Sequence, residues 1–535
     1  MTRRLNRQQR LQIAAAPVAI APPSVPSPIK GWNTRDALTA MDPLDAVQLD
    51  NWYPDTSGLN LRNGYTVYAN SLGSGAVKTL AEYNAGSIRR FLAAASGSIW
   101  DITSGGGVAA VSSGFSSGFS SGFGPSPGPF TNDAWQTEQF LSRLFFCNGA
   151  DTMQVFDGST LTNSTFTGVT LSTLVGVKQY QQRLFFWQNN STGFWYAPLN
   201  SISGALAFYD LAAFSPNGGN LVNIATYSHD GGNGVLDLIA FFMSSGWILV
   251  FYGNDPGNAL NWQEVNRYRI APPVNIRAVC SYGAEAYVTT FDDHVPLSAE
   301  LNSLKEGKQP PRSKVSTAVR DAVASNAAGF GWQALYYTKG RRLIFNIPNA
   351  NGTFDQHVCN TAISYPDQTS GTIVSPWCRF VNMNAQCWGL FNDNLYFGGT
   401  NGTVYRADTG TLDVLGAVSA VGQQAWNTFD SPQRKRGTDI RPIIQSFGNV
   451  SYSFQTGWDY GTLNIQDQIS ASAVGSPWDV SPWDTSPWSA DFAVSTAWRS
   501  SGGDGVAEGW AISLAATNSV TWLRTDFRGE IGSAL

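Results

Sequence analysis

The chain has 535 residues, a formal net charge of -5 and only 13% charged residues, about half the usual share. Aromatic residues also reach 13%, with 19 Trp, 19 Tyr and 30 Phe, which excludes a disordered protein. Mild acidity argues against tight nucleic-acid binding through a basic face, and the scarcity of Lys and Glu argues against a mainly helical one. What remains is a turn-rich β protein, long enough for two domains or a repeat array with an appendage.

In chain order, Met1 to Arg10 is basic, and the apolar stretch after it is broken by Pro17, Pro22 and Pro23. A secretion signal needs an unbroken apolar region, so residues 1–30 are expected to form a flexible Pro/Ala-rich arm. No apolar run approaches the ~18 residues of a membrane span.

From Gly31 onward, short strands alternate with Gly, Asn, Asp and Ser turns. Arg90 to Ala95 turns at Ser96-Gly97 into Ser98 to Ile102. Arg143-Leu144-Phe145-Phe146-Cys147 turns into Met153 to Gly158, and Arg183-Leu184-Phe185-Phe186-Trp187 turns into Phe194 to Tyr196. Leu236 to Met243 pairs with Trp247 to Tyr252, and Ala286 to Thr290 turns at Asp292-Asp293. Trp332 to Tyr337 pairs with Arg342 to Asn346, and Cys387 to Phe391 pairs with Leu395 to Gly398. These hairpins recur roughly every 40 to 56 residues over about 320 residues, the period of a propeller blade. Stacked β-sandwiches, the rival, would space their strands more closely.

One segment, Ser313 to Ala327, has helical period, with Val315, Val319, Ala322 and Val323 on one face. After about residue 430 the composition changes. Arg434-Lys435-Arg436 occupies a loop, and new alternating strands follow. Between them Ser-Pro-Trp recurs three times at a five-residue spacing, around Trp478, Trp483 and Trp488. Pro forbids a helix there. The Trp side chains form either an extended clasp on their own domain or an aromatic platform for sugar or a neighbouring subunit. Trp478, Trp483, Trp488, Arg434, Lys435 and Arg436 are therefore the candidate interface. The expected fold is all-β: a β-propeller of about 6–8 blades over residues 31–430, one short inserted helix, and an appended β-sandwich-like C-terminal domain over 431–535.

Catalytic signatures are missing. No GxSxG, HExxH or phosphate-binding loop is present. Cys147, Cys280, Cys359, Cys378 and Cys387 are odd in number and widely spaced, which favours buried free thiols over zinc or disulfides. His229, His294 and His357 lack metal-ligand spacing from one another. Asp292-Asp293-His294 is expected as a solvated hairpin turn, and Asp42, Asp45 and Asp50 lack calcium-loop spacing. Asp479 and Asp484 invite comparison with a glycosidase pair, but their place in a repeat makes a structural role simpler. No enzyme activity, cofactor or metal is expected.

Several stretches carry a family resemblance. Gly31-Trp32-Asn33-Thr34-Arg35-Asp36, Met41-Asp42-Pro43, Leu49-Asp50-Asn51-Trp52-Tyr53-Pro54 and Leu61-Arg62-Asn63-Gly64-Tyr65 open it. Phe330-Gly331-Trp332-Gln333-Ala334, Pro376-Trp377-Cys378-Arg379-Phe380 and Leu395-Tyr396-Phe397-Gly398-Gly399 continue it. The chain resembles the nozzle, hub and packaged-DNA stabilisation proteins of short-tailed bacteriophages. That resemblance implies a β-propeller subunit of a virion tail, assembled in the host cytoplasm. It implies a homo-hexameric ring below portal and head–tail adaptor, with tail fibres or a needle mounted on it. Double-stranded DNA would pass through without specific binding, and no catalytic residues carry over. The alternatives are a carbohydrate-binding or glycan-cleaving propeller and a distal tail or baseplate component of a long-tailed phage.

Overall fold

Hairpins with two-residue turns generate much of the regular structure. The computed structural model describes residues 23–107, 129–230, 235–305, 312–367, 369–471 and 493–531. Leu141 and Ser142 both have positive φ (46° and 56°), as do Gln181 and Gln182 (44° and 61°). Positive φ at both central positions defines the type I′ turn, whose twist matches the flanking strands. Each turn leads into an Arg-Leu-Phe-Phe strand, Arg143–Cys147 or Arg183–Gln188. Arg143–Cys147 lies between Gln136–Phe140 and Gln154–Phe156, and Arg183–Gln188 between Leu174–Tyr180 and Gly193–Tyr196.

Alternate residues of these strands enter different cores. Leu144 and Phe146 join Trp135 and, from the preceding sheet, Leu92. Phe145 and Cys147 join Leu184 and Phe186 of the next. Phe185 and Trp187 meet Phe241 and Phe251, and Ala240 and Phe242 meet Val288. Side chains alternate with period two, so a strand apolar at every position must be covered on both faces. Small antiparallel sheets stacked side by side satisfy this, and the result is a β-propeller arrangement. The chain's ends close it. Cys387–Phe391 packs against Thr79–Ala85, and Phe391 stacks on Phe91 with ring centroids 4.9 Å apart. Tyr65–Asn70 then completes the last sheet by pairing antiparallel with Val404–Ala407.

A second group of strands draws on both ends of the sequence. Lys435–Ser446 and Val520–Ile531 pair antiparallel, and Leu59–Leu61 and Trp52–Pro54 extend their sheet. Glu508–Ala516 pairs with Gly416–Gln424 on one side and Val450–Trp458 on the other, and Asp45–Asp50 pairs with Gly416–Gln424. Trp52, Ile440, Trp522 and Phe527 share one buried core with Phe454, Trp510 and Ile512. Gly422 faces that core, where a Cβ would stand 3.1 Å from the Trp52 ring and 3.2 Å from Trp522.

The sheets therefore do not divide at residue 430 as the composition change suggested. Residues 45–61 pair with strands beyond 415, and the propeller's first strand is Tyr65–Asn70 rather than a segment at Gly31. Within the span expected as an arm, Ser24–Pro26 instead pairs with Arg524 to Asp526, and residues 1–22 lie outside the described residues. Pro is tolerated on such an edge strand, where its missing N–H faces no partner. Among the described residues two α-helices stand where one was expected. α1 spans Leu297–Lys305, and α2 spans Ser316–Asn326 within the anticipated segment. Val315, Val319 and Val323 are buried against the core of Trp332 and Phe345, as their spacing requires. Leu297 and Leu301 anchor α1 in the core around Val288. Among the described residues no helix is long and apolar enough to cross a membrane.

Candidate functional site

The N-terminal motif residues converge on one polar seam between the propeller sheets and the second group of strands. Asn33 Nδ2 donates to Asp36 Oδ2 and Asp45 Oδ2, both at 2.8 Å. Lys314 Nζ reaches Asp45 Oδ1 at 2.5 Å, with both side chains 2% exposed. Burial pushes the Asp45 carboxyl up, and Lys314 and Asn33 offset only part of that rise. Arg35 bridges Asp36 and Asp367. Burial raises the Asp367 carboxyl, but the Ser370 hydroxyl and Arg35 outweigh it and hold it at about 2. Arg379 grips Asp50 at 2.6 and 2.8 Å, and its guanidinium lies 5.3 Å from the Trp32 ring. Asn51 adopts a left-handed φ of 59°. From there it donates to Ser419 O at 2.7 Å and accepts from Val381 N and from Arg62 Nε at 2.8 Å. Arg62 in turn holds Asp413 through two bonds of 2.8 and 2.7 Å. Asp42, Asp45 and Asp50 are thus each taken by a different cation, Lys30, Lys314 and Arg379.

Behind this seam lie two buried imidazoles. His294 Nε2 and His357 Nδ1 are 3.1 Å apart, and Thr289 Oγ1 is 3.0 Å from His294 Nδ1. His294 stacks on Phe345 with centroids 3.9 Å apart, and Trp32 meets His357 edge-on at 5.1 Å. Burial holds both rings well below the ordinary histidine value, His357 at about 3. Asp293 is buried too, accepting from Ser313 N at 2.6 Å and His294 N at 2.8 Å. The expected solvated turn at Asp292-Asp293-His294 is corrected accordingly: only Asp292 reaches the surface. Ser313, just before α2, provides the backbone N–H and hydroxyl that let Asp293 be buried.

The candidate interface residues do not act together. Trp478, Trp483 and Trp488 lie outside the described residues. Arg434 is exposed and ion-pairs with Asp504. Lys435 is buried, its Nζ donating to the carbonyls of Ser431, Gln433 and Val506 at 2.6, 2.9 and 3.0 Å. Arg436 is exposed in the strand, opposite Glu530. The three basic residues belong to a strand start rather than to a loop patch, so alternation sends the middle one inward. A different cationic cluster escaped the sequence reading. Trp498 lies between two guanidinium groups, Arg441 at 4.4 Å and Arg528 at 4.1 Å from its ring. Arg441 and Arg524 also share Asp526. The alternation Arg524-x-Asp526-x-Arg528 is the one sequence trace of it.

At the propeller's centre the starts of successive sheets line a cavity of about 390 Å³. Arg277 closes its floor by reaching across to two other sheets. It donates to Lys78 O at 2.7 Å, Trp135 O at 2.6 Å and Thr79 Oγ1 at 3.0 Å. Phe330 lies beside it, 5.5 Å from the Arg277 guanidinium and 5.6 Å from Lys78 Nζ. Below Arg277 a smaller space of about 160 Å³ is bounded by Leu80, Val279, Cys387 and Trp388. Among the described residues no group of three or more His, Cys, Asp or Glu side chains is arranged to hold a metal ion.

No family model matches the chain, and no curated protein matches it. Among solved structures it is similar to BBS1N in complex with ARL6DN, at 12% identity and a TM-score of 0.38, covering 66% of this chain and 99% of that one. The computationally designed Ika8 protein is 12% identical with a TM-score of 0.34, over 64% of this chain and 99% of that one. BamB from Moraxella catarrhalis is 12% identical with a TM-score of 0.33, over 67% of this chain and 93% of that one. The propeller arrangement rests on the strand pairing itself.

Proposed function

We propose that the chain is a structural virion protein of a bacteriophage tail. In this reading six copies form a nozzle or hub ring that extends the DNA ejection channel below portal and adaptor and carries fibres or a needle. The observation that supports it is the use made of the motifs behind the resemblance. The side chains of Trp32, Asn33, Asp50, Asn51 and Arg62 are engaged by other parts of the same chain. They lock the N-terminal segment between the propeller and the strands beyond 415. A body built this way is stiff, which suits a ring subunit under load. Sheets beginning at Thr79, Gln136, Leu174, Leu221, Val279, Gln333 and Cys387 follow one another around the axis. We read them as seven blades, with the second group of strands as a β-sandwich-like domain joined by residues 24–61.

Because Arg277 and Phe330 obstruct the propeller axis, the genome path in this reading runs between copies, along their flanks. The chain's mild acidity suits such a wall, which must not hold phosphates. The test is electron microscopy of purified particles carrying a tag on this chain. Label at the tail below the portal, at about six copies per particle by quantitative mass spectrometry, is the expected result. A chain absent from particles that binds a glycan array as a monomer would replace this reading with the sugar-binding one.

A further inference from the structure

We propose that the axial cavity is a binding site for a small hydroxylated anion, one carrying a carboxylate or a phosphate. Among the residues lining the 390 Å³ space, Arg277 is the one ionisable side chain, and neither Asp nor Glu is among them. Its guanidinium is engaged by two carbonyl oxygens and a hydroxyl, none of which carries a compensating charge, and its Nε–H has no acceptor in the described chain. Three other buried cations meet carboxylates, Lys314 with Asp45, Arg62 with Asp413 and Arg342 with Asp408; Lys435, like Arg277, meets carbonyls, but no amide-lined cavity stands against it. Burial without such a partner lowers the Arg277 pKa, the cost an incoming anion would relieve.

The walls point to more than a bare ion. Gln136, Asn189, Asn190 and Asn220 line the space, and their side-chain amides take part in none of the chain's hydrogen bonds among the described residues. Amides both donate and accept, which matches hydroxyl groups. Asn189 and Asn190 are exposed at the rim, so the space opens to solvent. The volume falls within the range of small-molecule sites, about 300–1,000 Å³. Phe330 and Trp332 supply an apolar wall. This inference is independent of where the chain sits in a particle.

The test is calorimetric titration of the full chain at constant ionic strength with four probes: inorganic phosphate, glucose 6-phosphate, glucuronate and glucose. Binding of glucose 6-phosphate or glucuronate at least tenfold tighter than glucose is expected. The stronger of the two tells phosphate from carboxylate preference. Arg277→Lys keeps a charge but loses the planar fork, and Asn190→Leu and Asn220→Leu leave the inter-sheet bonds of Arg277 intact. The two rim variants are expected to melt like the parent without ligand and to bind at least fivefold more weakly. Equal binding of glucose and glucuronate, no binding of any probe, or rim variants that bind like the parent would each overturn the proposal.

Discussion

The propeller sheets and the seam are held by opposite means. A propeller sheet is built from neighbours in sequence, and apolar side chains fill both gaps beside it, as with Phe145, Phe186 and Phe241. The seam joins segments some 300 residues apart and does so through paired charges, Asp45 with Lys314 and Asp50 with Arg379. Apolar contacts tolerate sliding, whereas a forked ion pair fixes angle and register. The chain therefore spends directional bonds where two bodies must keep one orientation, and non-directional packing where repetition already sets the geometry.

The seam should be the more fragile of the two to single changes of charge. Lys314→Met leaves Asp45 buried without its cation, which is expected to cost about 3–5 kcal/mol. Denaturant unfolding should show it, and adding Asp45→Asn should restore part of the loss. If Lys314→Met unfolds like the parent, the seam is not held by that pair and the contrast fails.

Acid should act on the seam as well. His294 and His357 have folded values far below the ordinary histidine value, because burial disfavours the cation. Each therefore contributes stability above about pH 6.5 that is lost as the pH falls, for His357 toward about 3. Melting temperature against pH should drop over that window, and His294→Asn with His357→Asn should flatten the drop. An unchanged slope in the double variant would assign acid sensitivity to other groups.

Base should act on the second group of strands instead. Glu508 is fully buried and neither carboxylate oxygen has a partner. Burial raises its pKa well above the ordinary carboxylate value. A raised folded value means stability present below about pH 4.3 and lost as the pH rises through the folded value. Glu508→Gln is expected to gain about 1–3 kcal/mol at pH 8 and little at pH 4. A uniform effect at both would mean the carboxyl is satisfied.

The same contrast governs what was legible in the sequence. Propeller hairpins show because their strands are adjacent and carry Arg-Leu-Phe-Phe. Their first strands were missed because Leu141-Ser142 and Gln181-Gln182 are not usual turn residues. The longer repeat Gln-Phe/Tyr-x-x-Arg-Leu-Phe-Phe, at Gln139 and Gln179, contains the missing strand and turn. Residues 24–61 include strands whose partners lie more than 300 residues on, at Ser24–Pro26, Asp45–Asp50 and Leu59–Leu61, and no local pattern reveals them. Arg277 left no trace at all: a lone arginine says nothing of the two sheets it spans.

The smallest effect sharpens the contrast from its other side. Arg434 and Lys435 are neighbours of like charge, yet only the second is enclosed. Arg434 and Asp504 are both about half exposed or more, so water and salt screen their attraction and holding two long side chains together offsets most of it. Arg434→Gln should leave the melting temperature within error at any ionic strength. Lys435→Met should not, because the carbonyls of Ser431, Gln433 and Val506 lose their shared donor. Side-chain charge matters to this fold where the backbone turns it inward, and a stability loss in Arg434→Gln matching that of Lys435→Met would refute the distinction.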